Sequence, residues 1–142
     1  MEIPEEWFEA LVDDLKVSHG VNPTRYVNEP THRELLFEMN STNVEIVIRI
    51  DSDGIPKYSL QFDGVLRSIK VIQAFDESTH DILINDLTSE LRKYEKDKAH
   101  HQSLKQLFIR LFDIILNPPT DAESLKILNE LKQTLIKAQP SI

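Results

Sequence analysis

The sequence predicts an α+β fold: an N-terminal helix, an antiparallel meander of three to four strands, then two to three C-terminal helices packed on one face. Three observations carry that expectation. Apolar residues recur at helical spacing from Trp7 to Leu15, at period two from Leu35 to Phe62, and at helical spacing again from Ile82 to Leu135. The connections between the period-two segments are too short for parallel crossovers, which need about a dozen residues or more, so the strands pair antiparallel. Helices kept apart from an antiparallel sheet define the α+β class. With 142 residues and neither an internal repeat nor a linker composition, a single domain over 1–142 is expected.

The first helix follows Pro4, whose missing N–H costs nothing in a first helical turn. Trp7, Phe8, Leu11, Val12 and Leu15 form its apolar stripe, and Gly20 suits the left-handed cap, which places the end near Val17–His19. Asn22-Pro23-Thr24 reads as a turn. Leu35, Phe37 and Met39, then Val44, Ile46, Ile48 and Ile50, then Tyr58, Leu60 and Phe62 each alternate with mostly polar neighbours, as strands with one buried face do. Asn40–Asn43, Asp51-Ser52-Asp53-Gly54 and Asp63-Gly64 supply the turns. A fourth strand is expected from about Val65 to Phe75, with Ile69, Val71 and Phe75 on one side.

Asp76-Glu77-Ser78-Thr79 offers several N-caps for the helical remainder, in which Ile82, Leu83, Leu87, Leu91 and Tyr94 keep helical spacing. Lys93–His101 is polar and reads as a loop or a solvated helical turn. Asn117-Pro118-Pro119 stops the next helical run, because each proline pushes its predecessor away from the α region. Thr120-Asp121-Ala122-Glu123 matches a capping box, opening a last helix through Leu125, Leu128, Leu131 and Leu135.

Composition narrows the chemistry. The net charge of −8 lies wholly in residues 1–63, which hold 13 acids and 5 bases, whereas residues 64–142 hold 11 of each. A phosphate backbone would be repelled by the first half and find no compensating excess in the second, so nucleic acid is not an expected partner. There is no cysteine, hence no disulfide, thiol nucleophile or Cys-based zinc site. The start is acidic rather than basic and the purest apolar runs are three residues long, so neither a secretory leader nor a membrane span is expected; the expected location is intracellular, cytoplasmic or nuclear.

Motifs are sparse. The glycines, Gly20, Gly54 and Gly64, lie too far apart for a phosphate-cradling loop, so no nucleotide cofactor is expected. In a calcium loop starting at Asp51, the glycine and closing glutamate positions are Pro56 and Phe62. The turn reading, with Asp side chains holding their own backbone, is the better one. The histidines His19, His32, His80, His100 and His101 show no metal-ligand spacing, and no nucleophile elbow occurs; no metal and no small-molecule ligand are expected. Asn40-Ser41-Thr42 is a formal sequon read as a strand connection. Arg92, Lys93, Lys96, Lys98 and Lys105 alternate with Glu90, Glu95 and Asp97, the pattern of a solvated face.

Two segments point to partners. Residues 1–15 carry six acids and no base; Glu5, Glu6 and Glu9 suit the positive end of the helix dipole and also a basic protein surface. In Leu104–Leu116, nine of thirteen residues are apolar. Leu104, Phe108, Leu111 and Ile115 make one stripe, while Leu107, Ile109, Phe112, Ile114 and Leu116 spread round the other faces. Such a helix is either sandwiched within its own fold or meets another chain.

The order of one helix, a four-strand meander and then helices resembles that of ubiquitin-conjugating enzymes and their non-catalytic RWD-type relatives. The catalytic cysteine of the former is absent, as is the Tyr-Pro-x-x-x-Pro signature of the latter. The resemblance in architecture implies an interaction domain. The expected function is accordingly a non-catalytic protein–protein interaction domain, a subunit or adaptor of an intracellular complex or a homo-oligomer. The alternatives are an acidic dimeric chaperone or inhibitor masking a basic target, and a small hydrolase or isomerase using His and carboxylate chemistry.

Overall fold

The computed structural model describes residues 1–117 and 122–137, and its element order is that of an α+β protein. Helix α1 (Glu5–His19) is followed by strands β1 (Thr24–Glu29), β2 (His32–Met39), β3 (Thr42–Ile50), β4 (Pro56–Phe62) and β5 (Val65–Val71), then by helices α2 (Glu77–Leu116) and α3 (Ala122–Lys137). The strands form one antiparallel sheet in sequence order. Two compact units divide the chain, Met1–Lys93 and Tyr94–Ile142, with α2 continuing from the first into the second.

The meander has five strands rather than three to four, and one more than the element order of the ubiquitin-conjugating and RWD families. The additional strand is β1, whose residues are exposed except for half-buried Val27, so it carries no apolar alternation. The fourth expected strand corresponds to β5. It ends at Val71 rather than near Phe75, and Ile69 and Val71 are exposed instead of lining a core face. Lys93–His101 is helical, part of the 40-residue α2.

The inner face of the sheet is built in rows. Leu35 pairs with Ile46, Ile46 with Leu60 and Leu60 with Ser68; Phe37, Val44, Phe62 and Val65 follow in the same way. Phe8, Leu11, Val12 and Leu15 of α1 and Leu83, Leu87 and Leu91 of α2 are buried with this face and close the core of the first unit. Gly20 ends α1 with φ +65°, and its N–H donates to the Lys16 carbonyl at 3.1 Å. Asp63 and Gly64 both take positive φ (50° and 81°), the backbone of a two-residue hairpin turn. In the 51–54 turn, Asp53 accepts from the Ile55 N–H at 3.0 Å and from Lys57 at 3.1 Å, so its side chain serves the local backbone.

The second unit is different. Leu91 is the last fully buried residue of the chain among those described. The segment Tyr94–Leu116 of α2 and the whole of α3 therefore contain only half-buried and exposed side chains among the described residues. The expected capping box at Thr120–Glu123 lies outside what the structure describes, apart from the backbone of Ala122 and Glu123.

Candidate interaction surface

Within the second unit, Leu107 and Leu111 of α2 and Leu131, Lys132 and Ile136 of α3 enclose an apolar cavity of about 180 Å³. Leu104, Leu107, Leu111 and Ile114 are the half-buried residues of this part of α2, and Leu128 and Leu131 those of α3. They form the seam between the two helices. Only five residues separate the elements, and a connection that short makes the helices antiparallel neighbours.

The seam differs from the stripe expected from sequence. Leu104 and Leu111 belong to it, but Phe108 and Ile115 do not; Leu107 and Ile114 take their place. Steps of three and four residues are equally helical, so the seam could follow either set, and the position of α3 selects the latter. Phe108 is 47% exposed, Ile109 59%, Phe112 62%, Ile115 61% and Leu116 78%. These five lie on one stripe, turned about 120° from the seam at 3.6 residues per turn. Of the residues singled out from sequence, Ile109, Phe112 and Leu116 thus come together on an open face, and Leu107 and Ile114 turn to the seam. The reading missed Phe108 and Ile115.

Leu125 and Ile136 of α3 are also exposed, at 50% and 59%. They sit about a quarter turn from Leu128 and Leu131, which in an antiparallel pair brings them out on the same side as the α2 stripe. The hairpin therefore carries exposed apolar residues of both helices on one side.

The acidic first helix offers a second surface. Its N-terminal end borders an open cleft of about 650 Å³, lined by Glu6, Trp7, Ala10 and Asp14 from α1 and its flank, and by Phe75, Asp76, Glu77, His80 and Asp81. Trp7 stacks edge-on against Phe75 with centroids 5.0 Å apart and lies 4.7 Å from His80. Its indole N–H donates to the Asp76 carbonyl at 2.9 Å, and His80 Nε2 donates to the Trp7 carbonyl at 2.8 Å. Asp76 caps α2: it accepts from the Ser78 hydroxyl at 2.9 Å and the Thr79 N–H at 3.0 Å, and these bonds hold its carboxyl below the ordinary range. Five carboxylates and no lysine or arginine line this cleft, so a cationic group would meet attraction there. Of the three acids singled out from sequence, Glu6 lines it, Glu5 is exposed, and Glu9 instead pairs with Arg25, whose Nε donates to it at 3.0 Å.

The histidines do not converge. His32 pairs with Glu34 at 2.7 Å on the outer face of the sheet, His80 is in the cleft, and His19 is half-buried at the end of α1. No group of three or more His, Cys, Asp or Glu that could hold a metal occurs among the described residues. None of the described helices is long and apolar enough to cross a membrane.

One buried polar cluster escaped sequence reading. Asp86 on α2 accepts from the Tyr58 hydroxyl at 2.8 Å, the Ser68 hydroxyl at 2.8 Å and the Lys70 ammonium at 3.0 Å. Burial pushes its carboxyl up, but the bonds from Lys70, Ser68 and Tyr58 outweigh burial and hold it below its ordinary value. The register Tyr58↔Lys70 and Leu60↔Ser68 places all three donors on the inner face. The cluster ties α2 to β4 and β5, with the Asp86 carboxylate buried and the Lys70 side chain half exposed.

Compared with known proteins, the chain matches no family model, no curated protein and no solved structure.

Proposed function

We propose that this chain is a non-catalytic protein–protein interaction domain, a subunit or adaptor of a larger complex, and that it docks through the apolar side of its C-terminal hairpin. One observation carries this reading. Beyond Leu91 no described side chain is fully buried, yet Phe108, Ile109, Phe112, Ile115, Leu116, Leu125 and Ile136 are all about half exposed or more. A helix pair in water is stabilised mainly by burying its apolar face, and this one leaves most of that face in solvent. A contiguous apolar surface of this kind marks an interaction site on soluble proteins.

The test is photo-cross-linking in cells that make the protein. A photoreactive phenylalanine analogue replaces Phe112 or Ile109, with exposed, polar Gln106 as the control position. Protein adducts form at 109 and 112 and not at 106. Adducts no more abundant at 109 and 112 than at 106 overturn the reading.

A further inference from the structure

The exposed stripe of α2 is spaced symmetrically, so it can be its own complement. Phe108, Ile109, Phe112, Ile115 and Leu116 are arranged as a palindrome about Phe112. Laid antiparallel against an identical helix, Phe112 meets its own copy, Ile109 meets Ile115, and Phe108 meets Leu116. Each contact then recurs by the same twofold rotation, as an isologous interface requires. Every large apolar residue of the stripe finds an apolar counterpart, with none left over.

We propose that two copies of this chain pair through their C-terminal hairpins, antiparallel, with Phe112 on the twofold axis, forming a four-helix assembly. The inference rests on the interaction reading above and names the partner as the chain itself.

The available area fits. The five stripe residues expose 47–78% of their surfaces, and at on the order of 200 Å² for a large side chain they offer roughly 600 Å². Leu125 and Ile136, exposed at 50% and 59% on the same side, bring each copy to about 800 Å², the share per partner of a standard stable interface. The fold also benefits. The half-buried seam of Leu104, Leu107, Leu111 and Ile114 against Leu128 and Leu131 is completed as an interior only when a second layer of helices lies across it. Charge offers no obstacle, since residues 64–142 are balanced with 11 acids and 11 bases.

The experiment is sedimentation equilibrium of the purified full chain. Wild type has twice the chain mass, and Phe112→Glu, which sets two carboxylates together on the axis, has the single mass. Unchanged Trp7 emission shows that the first unit of the variant has folded, and unchanged far-ultraviolet ellipticity in the cold shows the same of its hairpin. The register is tested separately: Phe108→Glu and Leu116→Lys each weaken pairing, whereas the double variant F108E/L116K regains about tenfold over either, because each Glu then faces a Lys twice across the axis. A wild-type chain that remains single at the highest attainable concentration overturns the proposal, and so does a doubled mass that survives Phe112→Glu. A double variant as weak as the singles overturns the antiparallel register. A single-chain mass together with adducts to another protein at 112 leaves the interaction reading standing and removes self-pairing; a single-chain mass without adducts removes both.

Discussion

Tyr58, Ser68 and Lys70 approach Asp86 from two strands, and the four side chains show how a buried charge is held. Asp86 is 8% exposed, so its carboxylate is tolerable only because three donors replace the water it has lost. Truncation to Ala leaves the Tyr58 hydroxyl buried without its acceptor and the Lys70 ammonium without its counter-charge. Asp86→Ala therefore lowers the stability of the first unit by about 3 kcal/mol, read from the urea midpoint of Trp7 emission. The same group sets an acid limb. Its folded pKa is depressed, so its contribution is fully present above the unfolded value of about 3.9 and is lost as pH falls through the folded value. Tyr58 works in the opposite sense. Burial and its bond to Asp86 raise its pKa, so its contribution holds below about pH 10 and is lost as pH rises further. The Asn variant of Asp86 should flatten the acid limb of stability against pH; an unchanged limb would show that the carboxylate is not held as described. Glu45, on the outer face, is raised by partial burial and by the neighbouring Glu34.

Among the elements, α1 is stopped by Gly20, whose φ of +65° any residue with a Cβ adopts at a cost. No atom lies within 4 Å of where that Cβ would go, so backbone conformation alone decides the outcome. Gly20→Ala should cost about 1 kcal/mol in thermal or urea unfolding, and a neutral result would show that the chain leaves α1 by another route. This boundary was legible because a glycine at the end of an apolar stripe has a local physical meaning. So were β2, β3 and β4, whose buried faces impose period two on Leu35 to Phe62. What could not be read was set elsewhere in the fold. Strand β1 is exposed apart from half-buried Val27 and is specified by pairing with β2, which leaves no apolar alternation in its own residues. Ile69 and Val71 of β5 look like core residues by type, yet the pairing of β5 on β4 turns Lys70 and Ser68 inward to meet Asp86. For the candidate surface, the excess of apolar residues in 104–116 was visible in sequence. Which of them meet α3 and which meet solvent was not, because two helical stripes fit the same residues until a neighbour selects one.

At the scale of the whole molecule, the two units differ in how their stability is supplied. Residues 1–93 bury a continuous core between the sheet and two helices, whereas residues 94–137 bury no described side chain completely. More than half of the helical residues lie beyond Lys93, while the single tryptophan, Trp7, lies in the first unit. Far-ultraviolet circular dichroism is thus weighted toward the hairpin, and Trp7 emission reports the core of the first unit. If a second copy covers the hairpin, its stability depends on protein concentration by mass action, since only the folded hairpin pairs. A tenfold rise in concentration is worth about 1.4 kcal/mol to the pair, which shifts the midpoint of a small unit by several degrees. Thermal unfolding should therefore show an early loss of ellipticity that moves upward with concentration and a later change in Trp7 emission that does not. In the Phe112→Glu variant the early phase should come at lower temperature and cease to depend on concentration, with the Trp7 phase unmoved. One transition seen alike by both probes, at the same temperature whatever the concentration, would mean that the hairpin draws its stability from within its own chain, and the exposed stripe would need another explanation.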